Sequence, residues 1–217
     1  MAIELTRQEL SRRYNRVAHW YDRIEGVLGL FGVSKLRRQV MQQASGKVLE
    51  VAVGTGKNIP YYPRARRIIV VDLSREMLNI AQKRAAKLAM DVSFLLADAE
   101  GLPFSDESFD TVVSSLSTCT FLNPVAALRE MTRVCRPQGT VLLLEHGRSD
   151  RDWLGRWQDR HADQFAKPLG CHWNREPLEL VGQTGLKVSR TKRHFFGIFQ
   201  QIESLKAAPP PENEELS

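Results

Sequence analysis

Two glycines and two aspartates stand where an adenosine-like ligand could be held. Gly54 and Gly56 follow an apolar run at residues 47–53, and glycine lacks the Cβ that keeps a ligand away from the backbone. Asp72 and Asp98 follow the next two apolar runs, where a carboxylate can accept from ribose hydroxyls or from an adenine amino group. Each residue also fits an ordinary turn or a helix N-terminus. Their recurrence after three successive runs favours the ligand.

The glycine loop lacks one feature of dinucleotide-binding loops. Such loops carry a further glycine three residues after the second one, but Ile59 occupies that position here. Together with the aspartate at position 98, this argues against an NAD-dependent oxidoreductase. We keep an NAD-dependent oxidoreductase as the third functional interpretation, after the two that are given below.

Alternating strands and helices would bring these residues together. The predicted strands lie at residues 47–53, 66–72, 92–98, 109–117, 140–146, 186–193 and 196–207. Helical spacing of apolar residues predicts helices at 74–89 and 124–135. Buried strands that alternate with helices predict an α/β fold with a doubly wound, Rossmann-like, mostly parallel sheet. Ligands of such sheets bind beyond the carboxyl ends of the strands.

Composition limits the class of protein. A chain of 217 residues suits one domain, predicted at residues 1–207, and the acidic, proline-rich segment 208–217 is expected to be disordered. Its N-terminus is too polar for a signal peptide, and the apolar run at 27–33 is too short to span a bilayer. We therefore expect a cytoplasmic protein with membrane association as an option. The net charge of +6 fits RNA, an anionic membrane or no such partner.

The cysteines at positions 119, 135 and 171 are widely spaced. They form no C-x-x-C pair, so we expect a reducing environment and neither a disulfide framework nor a metal site. Cys171 is expected to pack rather than to react.

Four motifs in order resemble those of one enzyme family. They are VLEVAVGTGKN, VVDLSREML, ADAEGLPFSDESFDTVVSSLS and ALREMTRVCRPQGTVLLLEH. The chain resembles the class I S-adenosylmethionine-dependent methyltransferases, in the branch of ubiquinone/menaquinone-biosynthesis, phospholipid N- and alkyl-thiol methyltransferases, over about residues 14–205. The resemblance implies a seven-stranded sheet with an antiparallel last strand. It also implies an N-terminal helical lid at residues 1–45 and an acceptor-side insert at residues 151–180.

S-adenosyl-L-methionine is the cofactor that this resemblance implies. The glycine loop would contact its methionyl portion, Glu50 would support the loop, and Asp72 would bind the ribose. Asp98 with Ala99 would hold the adenine edge. The other implied cofactor-binding residues are Tyr21 of the lid, Ala52 and Asn58 of the loop, Leu73 and Met77 beside the adenine, and Ser115 and Leu116 of the fourth strand. The family usually has Gly at the position of Ala52.

Two histidines are candidate general bases. A sulfonium methyl group is already electrophilic, so catalysis mainly requires a nucleophile held in line about 3 Å away, with water excluded. A base helps where the acceptor carries a proton. His146 directly follows the fifth strand and is the first candidate, although a structural role at a strand end also fits. His172 is the second.

Missing motifs make a nucleic-acid substrate unlikely. The fourth strand is not followed by an Asn/Asp-Pro-Pro-aromatic loop, the chain has no Pro-Cys nucleophile, and no separate RNA-binding module is evident. The sequence does not indicate an oligomeric state.

Two segments favour a small or lipid-like acceptor. Residues 24–40 form a basic amphipathic segment that could contact a membrane surface or pack on the domain. Trp153, Trp157, His161 and Phe165 form an aromatic stripe that fits a core but that we interpret as a pocket wall. We therefore predict methyl transfer to a phospholipid amine or a thiol. The alternatives are a quinol C-methyltransferase and a non-catalytic adenosine-cofactor-binding protein.

Overall fold

Seven strands form one sheet in the computed structural model, which describes residues 5–30, 32–63 and 67–206, with side chains 24, 25 and 27–30 left out. The strands are β1 (Lys47–Val51), β2 (Arg67–Asp72), β3 (Val92–Leu96), β4 (Phe109–Ser115), β5 (Cys135–His146), β6 (Leu186–His194) and β7 (Phe199–Lys206). The helices are α1 (Arg7–Leu30), α2 (Val33–Met41), α3 (Arg75–Lys87), α4 (Pro124–Val134), α5 (Asp152–Leu169) and α6 (Pro177–Gly182), with a short 3-10 turn at Ile59–Tyr61. The predicted acidic tail lies outside the described residues.

The strand order β3-β2-β1-β4-β5-β7-β6 confirms the predicted doubly wound sheet. β1 pairs in parallel with β2 on one side and β4 on the other, which makes the β1 carboxyl end the point where the winding direction reverses. β7 runs antiparallel to both β5 and β6, as predicted for the last strand.

Helices cover both faces of the sheet because the central strands are apolar on both sides. In β1, Val48 packs into a core with residues of α2 and α3, whereas its neighbour Leu49 packs into a second core with residues of α4 and α6. Adjacent strand residues point to opposite faces. No helix in the described part of the chain is long and apolar enough to cross a bilayer.

Two boundaries differ from the prediction. The fifth strand, predicted to begin at residue 140, begins at Cys135. Gln138 has a φ of 62°, and the register with β4 shifts between Phe109 and Thr111. A bulge therefore lets the strand continue through Pro137 and Gly139, residues that usually interrupt strands. The last strand begins at Phe199 rather than at residue 196, because Phe195, Phe196 and Gly197, all with positive φ, form its hairpin turn.

Candidate active site

A cavity lies at the carboxyl ends of β1, β2 and β4, with about 920 Å³ of atom-free space including its mouth. Most of the predicted cofactor-binding residues line it, namely Tyr21, Ala52, Gly54, Asp72, Leu73, Met77, Asp98, Ala99, Ser115 and Leu116. Three others are not among the described residues that line the cavity: Glu50, Gly56 and Asn58. The sheet thus places the aspartates and the glycine loop around one space.

The buried carboxylate of Asp72 ties the ends of two strands together. Its Oδ2 accepts a hydrogen bond from the Gly54 backbone N–H at 2.8 Å, and its Oδ1 accepts from the Ser74 N–H at 2.8 Å. Burial raises the pKa of Asp72 to about 6, although the backbone N–H groups of Ser74, Gly54 and Leu73 oppose the rise. Each oxygen keeps a lone pair for a further donor.

Glycine is favoured at positions 54 and 56 of the loop for different structural reasons. Gly54, at φ 56°, has no heavy atom within 4 Å of the position that a Cβ would take. Gly56, at φ 78°, packs against α3, and a Cβ there would lie 2.7 Å from Ile59 Cδ1 and 3.0 Å from Ala81 Cβ. Gly54 therefore leaves space on the cavity side of the loop, whereas Gly56 permits close packing behind it.

Asp98 forms the third corner of the cavity. Arg7 Nε lies 2.6 Å from Asp98 Oδ2, but no donor among the described residues is aligned with that buried oxygen for a hydrogen bond. The other oxygen accepts from the Glu100 backbone N–H at 3.0 Å. Asp98 thus has a charge partner and keeps an acceptor oxygen for a ligand.

Glu50 and Asn58 lie behind the loop, in a buried network that reaches the cavity through Arg37. Asn58 Nδ2 donates to Glu50 Oε1 at 2.7 Å, and the Tyr62 hydroxyl donates to Glu50 Oε2 at 2.9 Å. Arg37 donates to Asn58 Oδ1 at 2.8 Å and to Ser115 Oγ at 3.1 Å. Burial raises the pKa of Glu50 to about 7, although the hydrogen bonds from Asn58 and Tyr62 lower it.

Helix α1 borders the cavity and is attached to its walls by hydrogen bonds. Asp22 accepts a hydrogen bond from the Thr55 hydroxyl at 2.6 Å and pairs with Arg84. Asn15 Oδ1 accepts from the Ser74 hydroxyl at 2.6 Å. Helix α1 is therefore attached both to the glycine loop and to the start of α3.

The two predicted catalytic histidines are outside the described lining of the cavity. His146 ends β5, and its Nε2 lies 3.5 Å from Cys171 Sγ. His172 follows that cysteine and donates its backbone N–H to the Cys119 carbonyl at 2.9 Å. Two cysteines and His146 therefore form one cluster behind the cavity wall, although they come from three parts of the chain.

Charge interactions within this cluster shift its pKa values in opposite directions. Burial lowers the pKa of His146, but its contact with Cys171 outweighs burial, so that the pKa is raised. Hydrogen bonding to Cys119 lowers the pKa of the Cys171 thiol, and His146 lowers it further. The pKa of Cys119 is raised by its hydrogen bond with Cys171 and by burial.

Glu145, next to His146, organises the turn that follows β4. Its buried carboxylate accepts from the Ser114 hydroxyl at 2.9 Å and from the backbone N–H groups of Ser117 at 2.9 Å and Thr118 at 3.1 Å. This turn carries Cys119.

The aromatic stripe of α5 does not form the expected pocket wall. Trp153 is 66% exposed, and neither it nor the rest of the stripe belongs to the described cavity lining. The inward face of α5 instead carries Gly155, Gln158, Ala162 and Ala166. Trp157 and Phe165 pack around Trp173, with ring centroids 5.1 Å and 3.9 Å from it. The stripe is therefore a surface cluster, and helical spacing could not distinguish the two faces.

Sequence reasoning missed several cavity residues, among them three from the N-terminal helices. Arg7, Tyr14 and Arg37 all line the space, and all come from the first two helices. Arg37 belongs to the buried face of α2, beside Leu36 and Val40, and its helical spacing with these apolar residues was the available signal. This packing confirms, for residues 33–41, the alternative that the amphipathic segment packs on the domain. The side chains of Ile24, Val27, Leu28, Leu30 and Phe31 lie outside the described residues.

Comparison with known proteins identifies relatives of this chain. Residues 49–143 match the family described as "Methyltransferase domain". A mitochondrial methyltransferase of Saccharomyces cerevisiae is 28% identical over 228 residues, which cover 96% of this chain and 47% of that protein. The phosphatidylethanolamine N-methyltransferase of Cereibacter sphaeroides is 36% identical over 58% of this chain and 63% of that protein. This chain thus spans about half of the first relative and less than two thirds of the second.

A solved structure from Thermotoga maritima has the same architecture. It is described as a SAM-dependent methyltransferase, possible histamine N-methyltransferase, with a TM-score of 0.69 and 26% identity. The match covers 91% of this chain and all of that one.

Proposed function

We propose that this chain, which belongs to the class I S-adenosylmethionine-dependent methyltransferases, transfers a methyl group from S-adenosylmethionine to a small or lipid-like acceptor. One observation carries the proposal: Gly54, Asp72 and Asp98 surround a single cavity at the strand ends. When bound, the cofactor supplies an electrophilic sulfonium methyl group. The residues of the chain would bind it, orient it and exclude water.

The residues present fit this cofactor. Asp72 can still accept from the ribose hydroxyls, because the hydrogen bonds from the Gly54 and Ser74 N–H groups take only one lone pair on each oxygen. The buried Asp98 Oδ2, which lacks an aligned donor in the described part of the chain, can accept from the adenine amino group, with Ala99 at the same edge. Leu73 and Met77 offer apolar surface to the adenine.

The methionyl portion would lie along the loop after β1. Ala52 and Gly54 line that part of the cavity, and the space beside Gly54 allows close approach to the backbone. Tyr21, Ser115 and Leu116 would contact the cofactor from the lid and from β4. Gly56, Asn58 and Glu50 would act from behind, by fixing the loop.

Water exclusion would depend on the lid. The Asp22–Thr55 hydrogen bond and the Asn15–Ser74 hydrogen bond hold α1 across the cavity. Opening and closing of this helix would admit the cofactor, and closure would let the acceptor approach in a dry site. His146 and His172 stay proposed as proton acceptors on the acceptor side. A shift of the loop after α5, which carries His172 and the Cys171 that contacts His146, would have to open the cavity to them.

A phospholipid amine or a thiol is the acceptor that we favour. Support comes from the apolar part of the cavity lining, Leu10, Phe121 and Leu122. The exposed Trp153 and the neighbouring aromatic rings of α5 offer a surface that suits a membrane interface. A relative named as a phosphatidylethanolamine N-methyltransferase adds to this support.

Transfer of a labelled methyl group tests the proposal. The full chain is incubated with methyl-labelled cofactor and separate pools of phosphatidylethanolamine vesicles, alkyl thiols, quinols and RNA. We expect label in the lipid or thiol pool and none with Asp72→Ala. Label in RNA alone would refute the acceptor class. Binding of S-adenosylhomocysteine in calorimetry without transfer to any pool would identify a non-catalytic cofactor-binding protein instead.

A further inference from the structure

Two thiols and one imidazole converge behind the acceptor end of the cavity. Cys119 lies in the turn after β4, His146 ends β5, and Cys171 follows α5. One ligand atom from each side chain lies within 4.8 Å of the other two. We propose that Cys119, His146 and Cys171 bind a zinc ion and leave one coordination position open.

The distance between Cys171 and His146 matches the separation of two ligands around tetrahedral zinc. With Zn–S at about 2.3 Å and Zn–N at about 2.0–2.1 Å, a tetrahedral angle separates sulfur and nitrogen by about 3.6 Å. Cys171 Sγ and His146 Nε2 are 3.5 Å apart. Cys171 and His146 therefore already have the separation that a shared zinc ion requires, and Cys119 Sγ lies within 4.8 Å of both ligand atoms.

The donor set selects the type of ion. Two thiolates and one imidazole favour zinc over magnesium or calcium, which prefer oxygen ligands. Three protein ligands with a fourth, exchangeable position are typical of zinc sites that bind a water or a substrate. The two thiolates would also neutralise the charge of the ion.

The surroundings of His146 favour its role as a ligand. Its Nε2 lies 3.5 Å from Cys171 Sγ and so faces the other ligand atoms. When Nδ1 carries the ring proton, the Nε2 lone pair can bind a metal.

Buried hydrogen bonds hold the loops that carry the thiols. The His172 N–H donates to the Cys119 carbonyl at 2.9 Å and so joins the two cysteine-bearing segments. Arg175 donates to the Phe121 carbonyl at 2.9 Å and stabilises the end of the turn. The site is thus preorganised by contacts that do not involve the proposed ligand atoms.

The proposed ion would border the cavity. Ser117 and Thr120, on either side of Cys119 in the same turn, both line that space. Zinc would therefore fix the wall on the acceptor side. A zinc ion on Nε2 would take the lone pair of His146 and leave His172 as the candidate proton acceptor. The metal site does not depend on which molecule accepts the methyl group.

Metal content tests the proposal directly. The reduced full chain is purified without chelator and supplied with zinc. It should then retain about one zinc ion per chain, as measured by elemental mass spectrometry. Cobalt in place of zinc should give the intense absorption of tetrahedral thiolate coordination. Cys119→Ser, Cys171→Ser and His146→Asn should each weaken zinc affinity at least tenfold. Cys135→Ser is the matched control, because Cys135 is buried at the opposite end of β5.

Cofactor binding separates a lost metal site from a lost fold. Variants that bind S-adenosylhomocysteine as tightly as the wild type are folded, so their zinc affinity reports on the site alone. If all three ligand variants lose cofactor binding, the zinc content and the cobalt spectrum of the wild-type protein decide whether the zinc site exists. Wild-type protein with neither zinc nor the cobalt–thiolate band would overturn the proposal. Equal loss of zinc in Cys135→Ser, or a Cys119–Cys171 disulfide whose reduction yields no metal binding, would also overturn it.

Discussion

Asp72 Oδ2 accepts a hydrogen bond from the Gly54 backbone N–H at 2.8 Å, which joins the end of β2 to the loop after β1. The other oxygen of the same carboxylate accepts from the N–H of Ser74, just before α3. One side chain therefore positions two walls of the cavity. Its proposed contact with the ribose would add ligand binding to this structural role, since both oxygens keep lone pairs.

Asp72→Ala should weaken S-adenosylhomocysteine binding at least a hundredfold. The variant would lose the proposed contacts to the ribose, and hydrogen bonds to a charged group contribute about 1.5–3 kcal/mol each. Isothermal titration calorimetry measures the affinity. Asp91→Ala, at an exposed aspartate just before β3, is the control and should bind normally. An affinity within threefold of the wild type in Asp72→Ala would contradict the ribose assignment.

Gly54→Ala should mainly weaken cofactor binding, whereas Gly56→Ala should mainly destabilise the fold. The Cβ of Gly54→Ala would enter the space where we place the cofactor, so we expect affinity for S-adenosylhomocysteine to fall about tenfold or more. The Cβ of Gly56→Ala would lie 2.7 Å from Ile59 Cδ1, and overpacking of this kind costs about 1–3 kcal/mol. Calorimetry and thermal unfolding are measured on both variants.

The result to look for is a contrast between the two glycine variants. Both carry the strain of a positive φ, so that term largely cancels in the comparison. Gly56→Ala should have the lower melting temperature and Gly54→Ala the weaker binding. The reverse ranking in either measurement would contradict the assigned roles.

Local sequence signals predicted the position of the cavity, because its main residues directly follow strands. Asp72 and Asp98 end up together since parallel strands bring their carboxyl ends to one edge of the sheet. Arg7 lies far from them in the sequence and reaches Asp98 only through the path of α1. That path is fixed by tertiary packing, which strand and helix periodicity does not encode.

The cysteine cluster shows the same limit more sharply. Metal motifs are recognised by short spacings, but Cys119 and Cys171 meet through the turn after β4 and the loop after α5. The absence of a C-x-x-C pair therefore says nothing about spatial proximity. The prediction that Trp153, Trp157 and Phe165 form a pocket wall was wrong for another reason. The small residues of α5 form its buried face, so the large rings are left on the surface.

Ala52→Gly should stabilise the fold. Ala52 has a φ of 55°, in the left-handed region where an L-residue is strained, so the glycine usual in the family fits the backbone better. We expect a gain of about 1 kcal/mol, or about 2–4 °C in melting temperature for a chain of this size. Ala97→Gly is the control, since Ala97 lines the same cavity without a positive φ. It should lose stability, and equal shifts in the two variants would refute the explanation by strain.

The buried Glu50 should make stability fall as the pH rises. Burial raises its folded-state pKa from 4.5 to about 7, so between these values the folded protein holds a proton that the unfolded chain has released. The unfolded state then binds fewer protons, and the free energy of unfolding decreases with increasing pH. The stabilisation is fully present below pH 4.5 and is lost as the pH passes through about 7. Over this window the contribution is about 3 kcal/mol, at about 1.4 kcal/mol per pH unit.

Glu50→Gln removes this titration but keeps a side chain of the same shape. The difference in unfolding free energy between the variant and the wild type should therefore shift in favour of the variant by about 3 kcal/mol between pH 4.5 and pH 7. Urea denaturation at half-unit pH steps measures it. Asp72, whose pKa burial raises to about 6, contributes the same slope to both proteins, so it cancels in the difference. Glu179→Gln, at an exposed glutamate of α6, is the control and should follow the wild-type curve. A difference between Glu50→Gln and wild type that is constant across this pH range would show that Glu50 does not titrate there.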